Sequence, residues 1–519
     1  MPKSLPENFR IRFRNMLGDE ELAKYEECLQ LPMEHGLRVN TLRMTPEEFR
    51  KIAPWKHLSK TGEEMGLSPV PWCKSGFYLD DHSRVKAEPD QGVSAAAPSR
   101  HPLYYAGAYY LQEPSAMLPA AALPVSPGDR VLDLCAAPGG KSTALAEKLR
   151  GRGLLVSNDI SASRAKALIK NLELFGVENA VVTAETPKRL ASHFPDYFDK
   201  ILIDAPCSGE GMFRKTSAMI TDWTEEKTRE YALLQREIAG YAIRMLKPGG
   251  MLLYSTCTYA PEEDEGTVLY LLNLPEAKEK GLRLKPIPAS PGFLPGNAGW
   301  LKEAPDDTSI LLNEADLLHY TMHLYPHRLR GEGHFAALFG SGPLAEDEIP
   351  QDVNTEAFGE SAEDFGENRK PMDISSIRKK YPEFYEFASM IRKDWDISRM
   401  KLSQGYLSLL PDAVGTEREL AGLRVLRSGL FLGEIRKNRF EPSQALAMTL
   451  TPESFSNTLN LSLGDDRVLR YLKGETLEIR GPEVQDGWAL VTVEGLPLGF
   501  GKAKCGSMKN KLLPGWRMN

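Results

Sequence analysis

Between residues 130 and 257 the chain alternates short apolar, β-rich runs with amphipathic stretches of roughly 10 to 15 residues, the rhythm of βαβ units. The runs are VLDLC, followed by a glycine turn and KSTALAEKLR; LLVSND, followed by SASRAKALIKNLELFG; AVVTAE; KILIDAP, followed by a long helix through about Met245; and GMLLYSTC. Strands separated by helices predict a parallel sheet covered on both faces, a doubly wound α/β core of Rossmann-like class. Ahead of it, the region to about residue 100 mixes helical runs (PENFRIRFRNMLGDEELAKYEECLQ) with an extended piece, LRVNTLRM, and reads as α+β. Beyond residue 375 the pattern shifts to a helical piece and then to short strands and turns (LRVLRSGLFLGEIR, ETLEIRGPEV, WALVTVEG, PLGFG), a small β-rich module. The expected division is therefore 1–100, 101–340, a linker at 341–375, an accessory domain at 376–450 and a terminal β-rich domain at 451–519.

Composition narrows the class. Of 519 residues, 42% are hydrophobic and 26% charged, and no apolar run approaches the roughly 20 residues that span a bilayer, so a membrane protein is excluded. The opening MPKSLPENFRIRFRNM is basic with no apolar stretch behind it, so no secretory signal is read and a cytoplasmic location is expected. Six cysteines (Cys28, Cys73, Cys135, Cys207, Cys257 and Cys505) never form a C-x-x-C pair, which argues against a disulfide framework and a zinc knuckle.

The net charge of −7 argues against a polyanionic partner until its distribution is considered. Residues 341–370 alone carry nine acidic and two basic side chains, a net of −7, and read as a solvated linker. From 371 to 519 there are 22 basic and 18 acidic residues, and the closing LPLGFGKAKCGSMKNKLLPGWRMN has five basic residues and no acidic one. That tail can face phosphate.

In an open parallel sheet the ligand sits outside the carboxyl ends of the strands, where the first βα turn carries the binding loop. Here the turn is LDLCAAPGGKS, Leu132 to Ser142. Cys135, Ala136, Ala137 and Pro138 do not supply a G-x-G-x-x-G dinucleotide fingerprint, and a phosphate loop would need glycine where Cys135 stands. Gly139 and Gly140 still allow close backbone approach. Asp159, about 20 residues further on, stands where a carboxylate accepts from ribose hydroxyls. A nucleoside ligand without pyrophosphate fits this pattern best.

The strand ending in IDAPCSGEGMFRK brings Asp204, Pro206 and Cys207 to the same edge, and the strand ending in YSTCTY brings Cys257. A lone cysteine is more often a small buried hydrophobe, but residues just past strand ends line the ligand crevice. A thiol beside a nucleoside cofactor suggests covalent catalysis on an electron-poor acceptor. Thiolate addition to carbon 6 of a pyrimidine makes carbon 5 nucleophilic enough to take a methyl group. Such a reaction needs a nucleophile, a group that hydrogen-bonds the ring and assistance to the elimination. Cys257, Asp204 and Cys207 can supply these, with the division between the two thiols left open by spacing.

The run YLQEPSAMLPA (Tyr110 to Ala120), VLDLCAAPGGKS, NDISASR, DAPCSGEG and YSTCTY resembles, in order and spacing, the RsmF/Sun family of S-adenosylmethionine-dependent RNA (cytosine-5) methyltransferases. GEGHFAALF (Gly331 to Phe339) resembles the RsmF branch, and GLPLGFGKAKCGSMKN its PUA-like RNA-binding module. The resemblance covers residues 1–340 most strongly. It implies a methyltransferase domain at 101–340 between an N-terminal RNA-binding domain and a PUA-like one. It implies that Cys257 is the nucleophile and that Cys207 assists release of the methylated base. It further implies that Cys135 to Lys141, Asp159 and Asp204, with Arg164 as a neighbour, line the S-adenosylmethionine site, and that the partner is RNA, 16S ribosomal RNA first, naked or within the small subunit. One departure stands out: the family generally shows an Asp after the third strand, where this chain has Thr186 beside Glu185. Transfer RNA as substrate, a non-catalytic ribosome assembly factor and methylation of an exocyclic amine are the competing readings; the last lacks an N/D-P-P-Y-type motif and leaves Cys257 idle.

Other signals carry less. His319, His323 and His327 would stack on one helical face and invite a metal, but Pro326 spoils that helix and no acidic partner stands at helical spacing, so no metal is expected. Trp72, Trp488 and Trp516 can stack on bases or pack in a core. Arg436, Lys437, Arg439, Lys502, Lys504, Lys509 and Lys511 are the candidates for phosphate contacts. The expected state is a monomer without membrane association.

Overall fold

The computed structural model describes residues 4–55, 57–58, 64–65, 67–79, 97–303, 317–341, 374–414, 417–437 and 439–518; the expected acidic linker lies almost wholly outside the described residues. The alternating runs form, in chain order, β1 (Arg130–Asp133), α1 (Gly140–Leu149), β2 (Leu154–Asn158), α2 (Ala162–Phe175), β3 (Ala180–Thr183), α3 (Pro187–His193), β4 (Phe198–Asp204), α4 (Glu225–Met245), β5 (Leu246–Thr256), α5 (Glu265–Asn273), β6 (His334–Ser341) and β7 (Val425–Ser428). Helix starts follow side-chain caps: Ser161 accepts from Arg164 N at α2, and Thr224 from Lys227 N at α4.

Strands β3, β2, β1, β4 and β5 lie side by side and parallel. Helices bury both faces, which is why β2 and β3 open on the apolar runs Leu154–Val156 and Ala180–Val182 and are buried at every position. The α/β Rossmann-like class is as the pattern implies, but the edges are not parallel. β6 pairs antiparallel with β5, with Phe335 opposite Thr256, and β7 pairs antiparallel with β3. β7 corrects the reading of LRVLRSGLFLGEIR as one piece of the C-terminal module: its first half joins the central sheet, and Leu430–Arg436 joins another. The chain winds outward through β1, β2 and β3, then crosses to β4. The crevice above the carboxyl ends of β1 and β4 is thus the switch point, where a ligand site forms.

The N-terminal helical run is two helices, Glu7–Leu17 and Asp19–Cys28, broken at Gly18, whose φ of 91° favours glycine. Phe9, Phe13, Leu22 and Tyr25 pack with Phe213, Trp223, Tyr259 and Tyr325, so this pair is built onto the loops that follow β4 and β5. A four-stranded sheet follows, in which His35–Val39 pairs with Cys73–Leu79 and with Tyr109–Leu111, past the boundary expected at 100. The C-terminal part holds a four-stranded sheet ending at Pro442 and a five-stranded sheet from Thr458 to Asn510. Its apolar side does not close on itself. Leu459, Val468, Tyr471 and Val491 share one core with Leu37, Val39, Phe77 and Tyr109 of the N-terminal sheet.

Candidate active site

The loop leaving β1 is shaped by its glycines. Gly139 has a φ of 113°, and a Cβ there would stand 3.0 Å from Leu168 Cδ1. A Cβ on Gly140 would stand 3.2 Å from Tyr110 Cε1. The loop is tied down by its carbonyls: Arg164 donates to Ala137 O at 2.9 Å, Asn171 to Pro138 O at 2.8 Å and Arg38 to Gly140 O at 3.0 Å. Ala136 N donates to Asn158 O at 2.7 Å, joining the ends of β1 and β2. Burial pushes the Cys135 thiol well above its ordinary range, so it serves as packing rather than as a reactive group.

Asp159 is nearly buried at the end of β2, with Oδ1 accepting from Ser161 N at 2.9 Å and Oδ2 facing Arg164 Nη1 at 3.4 Å. Lys141 reaches from the start of α1 to Asp204 Oδ2 at 2.7 Å. Burial pushes the Asp204 carboxyl up, but the Lys141 charge and hydrogen bonds from Lys141 and Ser255 outweigh it and hold Asp204 below its usual value, as an anion. Beyond the third strand, neither residue at the departure point is idle. Thr186 caps α3 by accepting from Arg189 N at 3.2 Å, and Glu185 Oε1 accepts from Arg424 N at 2.6 Å.

The two thiols at the ends of β4 and β5 meet, with Cys207 Sγ 3.1 Å from Cys257 Sγ and accepting from Cys257 N at 3.3 Å. The hydrogen bond to Cys257, followed by burial, raises the Cys207 thiol well above its ordinary value. Cys207 therefore keeps its proton, and either sulfur can donate in the contact between the two thiols. The loop around them is braced by Gly211 N to Cys257 O at 2.9 Å and Ser208 Oγ to Thr258 Oγ1 at 2.7 Å. Glu210 accepts from Trp223 Nε1 at 2.7 Å and Tyr259 N at 3.1 Å, and it also pairs with Arg12 of the first helix.

Residues absent from the sequence expectation also face this crevice. Asp133, inside the LDLCAAPGGKS motif, is fully buried; Ser142 Oγ donates to its Oδ2 at 2.6 Å and its Oδ1 has no partner. Burial pushes it up to about 7. His334, the first residue of β6, lies with Nε2 3.8 Å from Asp204 Oδ1, and burial followed by Lys141 pulls the imidazole down to about 3, so it is neutral. Both residues sit in motifs visible in the sequence. Arg12 and Arg38 do not, because only the folded chain brings them beside residues more than 100 positions away.

The histidine run is not helical: His323 lies on the strand Met322–Leu324, its Nε2 2.8 Å from Glu265 Oε1, and His327 Nε2 is 3.0 Å from Glu21. Asp264, Glu265 and His323 come together from distant segments as a buried donor set within 4.8 Å, which helical spacing could not foresee. Trp72 is core: it is 1% exposed and donates to Pro114 O at 2.8 Å, so it is removed from the base-stacking candidates. Lys502 and Lys511 lie over the Trp488 ring, at 5.6 and 5.2 Å from its centroid, and Lys170 lies 5.6 Å from that of Trp516. Arg436 and Arg439 already pair with Glu434 and Glu441. Lys502 stands opposite Lys509 across a hairpin, with Lys504 on the same exposed face. Among the described residues no helix is long and apolar enough to cross a membrane.

Residues 120–340 match the family described as 16S rRNA methyltransferase RsmB/F, residues 5–114 the N-terminal domain of 16S rRNA methyltransferase RsmF, residues 386–450 the RsmF first C-terminal domain and residues 458–518 the RsmF PUA domain. Ribosomal RNA small subunit methyltransferase F of Vibrio cholerae is 30% identical over 518 residues, covering 98% of this chain and 97% of the relative. The Vibrio parahaemolyticus protein of the same name is 29% identical over 518 residues, covering 98% and 96%. A methyltransferase homolog from Pyrococcus horikoshii has a similar solved structure, with a TM-score of 0.51 at 28% identity, over 65% of this chain and 95% of that one.

Proposed function

Because the chain belongs to the ribosomal RNA small subunit methyltransferase F family, a family of RNA methyltransferases, we propose that it methylates carbon 5 of a cytosine in 16S ribosomal RNA through a transient cysteine adduct. The observation that carries this reading is the pair of thiols 3.1 Å apart, beside the Lys141–Asp204 pair at the switch point.

S-adenosylmethionine, when bound, supplies an electrophilic methyl group. The chain offers it a glycine loop with a tight, left-handed turn at Gly139, a buried Asp133 oxygen without a donor, and the Asp159 carboxylate at the ribose position. Cys135 to Lys141, Asp133, Asp159, Arg164 and Asp204 would hold it.

Cys257 gives its thiol proton to solvent water as its Sγ adds to carbon 6 of the cytosine, forming a carbon–sulfur bond and moving electron density to carbon 5. Asp204, paired with Lys141, accepts a hydrogen bond from the amino group of the base and orients it, and the Lys141 ammonium offsets the negative charge that develops on the ring. Once carbon 5 carries the new methyl group, its proton passes to solvent water, the carbon–sulfur bond breaks, and Cys207 gives its proton to the departing Cys257 sulfur. The target must be unstacked to reach the thiols, so single-stranded loops suit it better than duplex.

An RNA carrying 5-fluorocytidine tests this directly, since fluorine at carbon 5 blocks the elimination. The expected result is a denaturation-resistant adduct whose peptide maps to Cys257, lost in Cys257→Ala. A label on any other residue, or undiminished methyl transfer by Cys257→Ala, overturns the assignment.

A further inference from the structure

Glu263 takes no part in the steps above, yet it is fully buried within the same site. Its Oε2 accepts from Ser208 N at 3.1 Å and from Gln235 Nε2 at 2.7 Å. Gln235, from α4, uses the same nitrogen to donate to Pro206 O at 2.9 Å. The Tyr254 hydroxyl completes the frame, donating to Gln235 Oε1 at 3.0 Å and to Glu263 O at 2.8 Å. The residues on both sides of Cys207 are therefore gripped: the carbonyl before it by Gln235, the amide after it by Glu263. Ser208 Oγ, 2.7 Å from Thr258 Oγ1, and the contacts of the thiol with Cys257 itself complete the hold on the turn.

We infer that Glu263, acting with Gln235, is a positioning residue that holds Cys207 where it can protonate the departing Cys257 sulfur, so that its loss stalls release of the methylated base rather than formation of the adduct. The inference rests on the covalent reading of the site.

Retention of a carboxyl here is costly, which is why a packing role explains it poorly. Burial is the main force pushing Glu263 up to about 8, and its Oε1 has no hydrogen-bond partner. An apolar side chain would fill the space without that cost but would leave Ser208 N and Gln235 Nε2 short of an acceptor. A displacement of about 1 Å in a reacting group can cost on the order of a hundredfold in rate, so a braced turn is worth an awkward carboxyl.

The experiment compares wild type, Cys207→Ala, Glu263→Ala, Glu263→Gln and Gln235→Leu on unmodified substrate RNA. It follows turnover, apparent KM for RNA and the fraction of protein held as denaturation-resistant adduct. Glu263→Ala is expected to accumulate adduct as Cys207→Ala does, with turnover down on the order of tenfold to a hundredfold and apparent KM for RNA lowered along with it. Glu263→Gln should restore turnover, because its side-chain carbonyl can accept from the same two donors. Should Glu263→Ala fail to fold, judged by thermal melting, Gln235→Leu carries the test and should show the same accumulation. Adduct resolved at the wild-type rate in the folded Ala or Leu variant, or Gln no better than Ala, overturns the inference. If Cys207→Ala traps adduct and Glu263→Ala does not, the inference alone falls; if no variant and no fluorinated substrate yields adduct, the covalent reading falls with it.

Discussion

At the scale of single residues the site holds a carboxyl that folding alone does not favour. Asp133 is held at about 7, against an ordinary 3.8, chiefly by burial. Between those two values the native protein keeps a proton that the unfolded chain has lost, so this residue makes stability fall as pH rises through the window. Above pH 7 the ionised carboxylate remains buried with one unpaired oxygen. Asp133→Asn should therefore stabilise the ligand-free protein by on the order of 2 kcal/mol at pH 8, with little gain at pH 4. Calorimetry with S-adenosylmethionine should show the same variant binding more weakly. A melting curve unchanged at pH 8 would mean that Asp133 is not strained as the burial implies. His334 is a second residue of this kind: neutral, buried and facing Asp204 with an unpaired nitrogen.

At the scale of elements, the glycine loop shows why some features were legible in sequence and others were not. Gly139 combines a φ of 113° with a Cβ direction already filled by Leu168. Gly139→Ala is expected to cost about 1–3 kcal/mol in stability through backbone strain and to weaken S-adenosylmethionine binding, both measurable on one preparation by melting and calorimetry. Wild-type affinity in that variant would show that the loop does not need its left-handed turn. The five parallel strands were readable because each carries a short buried apolar run, such as Leu154–Val156, Ile201–Ile203 and Leu252–Tyr254. Candidate residues at their carboxyl ends followed from the same rule, which is why Cys207, Cys257 and Asp204 fall together. β7 was not readable: Val425–Ser428 is half-buried, and its partner β3 lies more than 240 positions earlier. The break at Gly18 was also hidden, because the apolar spacing continues across it while only the backbone turns.

At the scale of the whole molecule, the terminal β-rich domain does two jobs that can be separated. Its apolar side completes a core with the N-terminal sheet through Leu459, Tyr471 and Val491 against Leu37, Val39 and Tyr109, so ending the chain at residue 450 would uncover both sides. Its outer hairpin presents Lys502, Lys504 and Lys509 on one face, with Lys502 directly opposite Lys509. Like charges opposed across strands are destabilising unless an anion lies between them. A phosphate backbone meets that condition, and the contacts would position RNA without reading its sequence. Each lysine meeting a phosphate on a single strand adds about 0.7 to the slope of log affinity against log salt. Replacing all three by alanine should therefore flatten that slope by about 2, while leaving S-adenosylmethionine affinity as in wild type and not lowering the melting temperature of the RNA-free protein. An unaltered salt slope in the triple variant would move the RNA path off this face and onto the N-terminal domain.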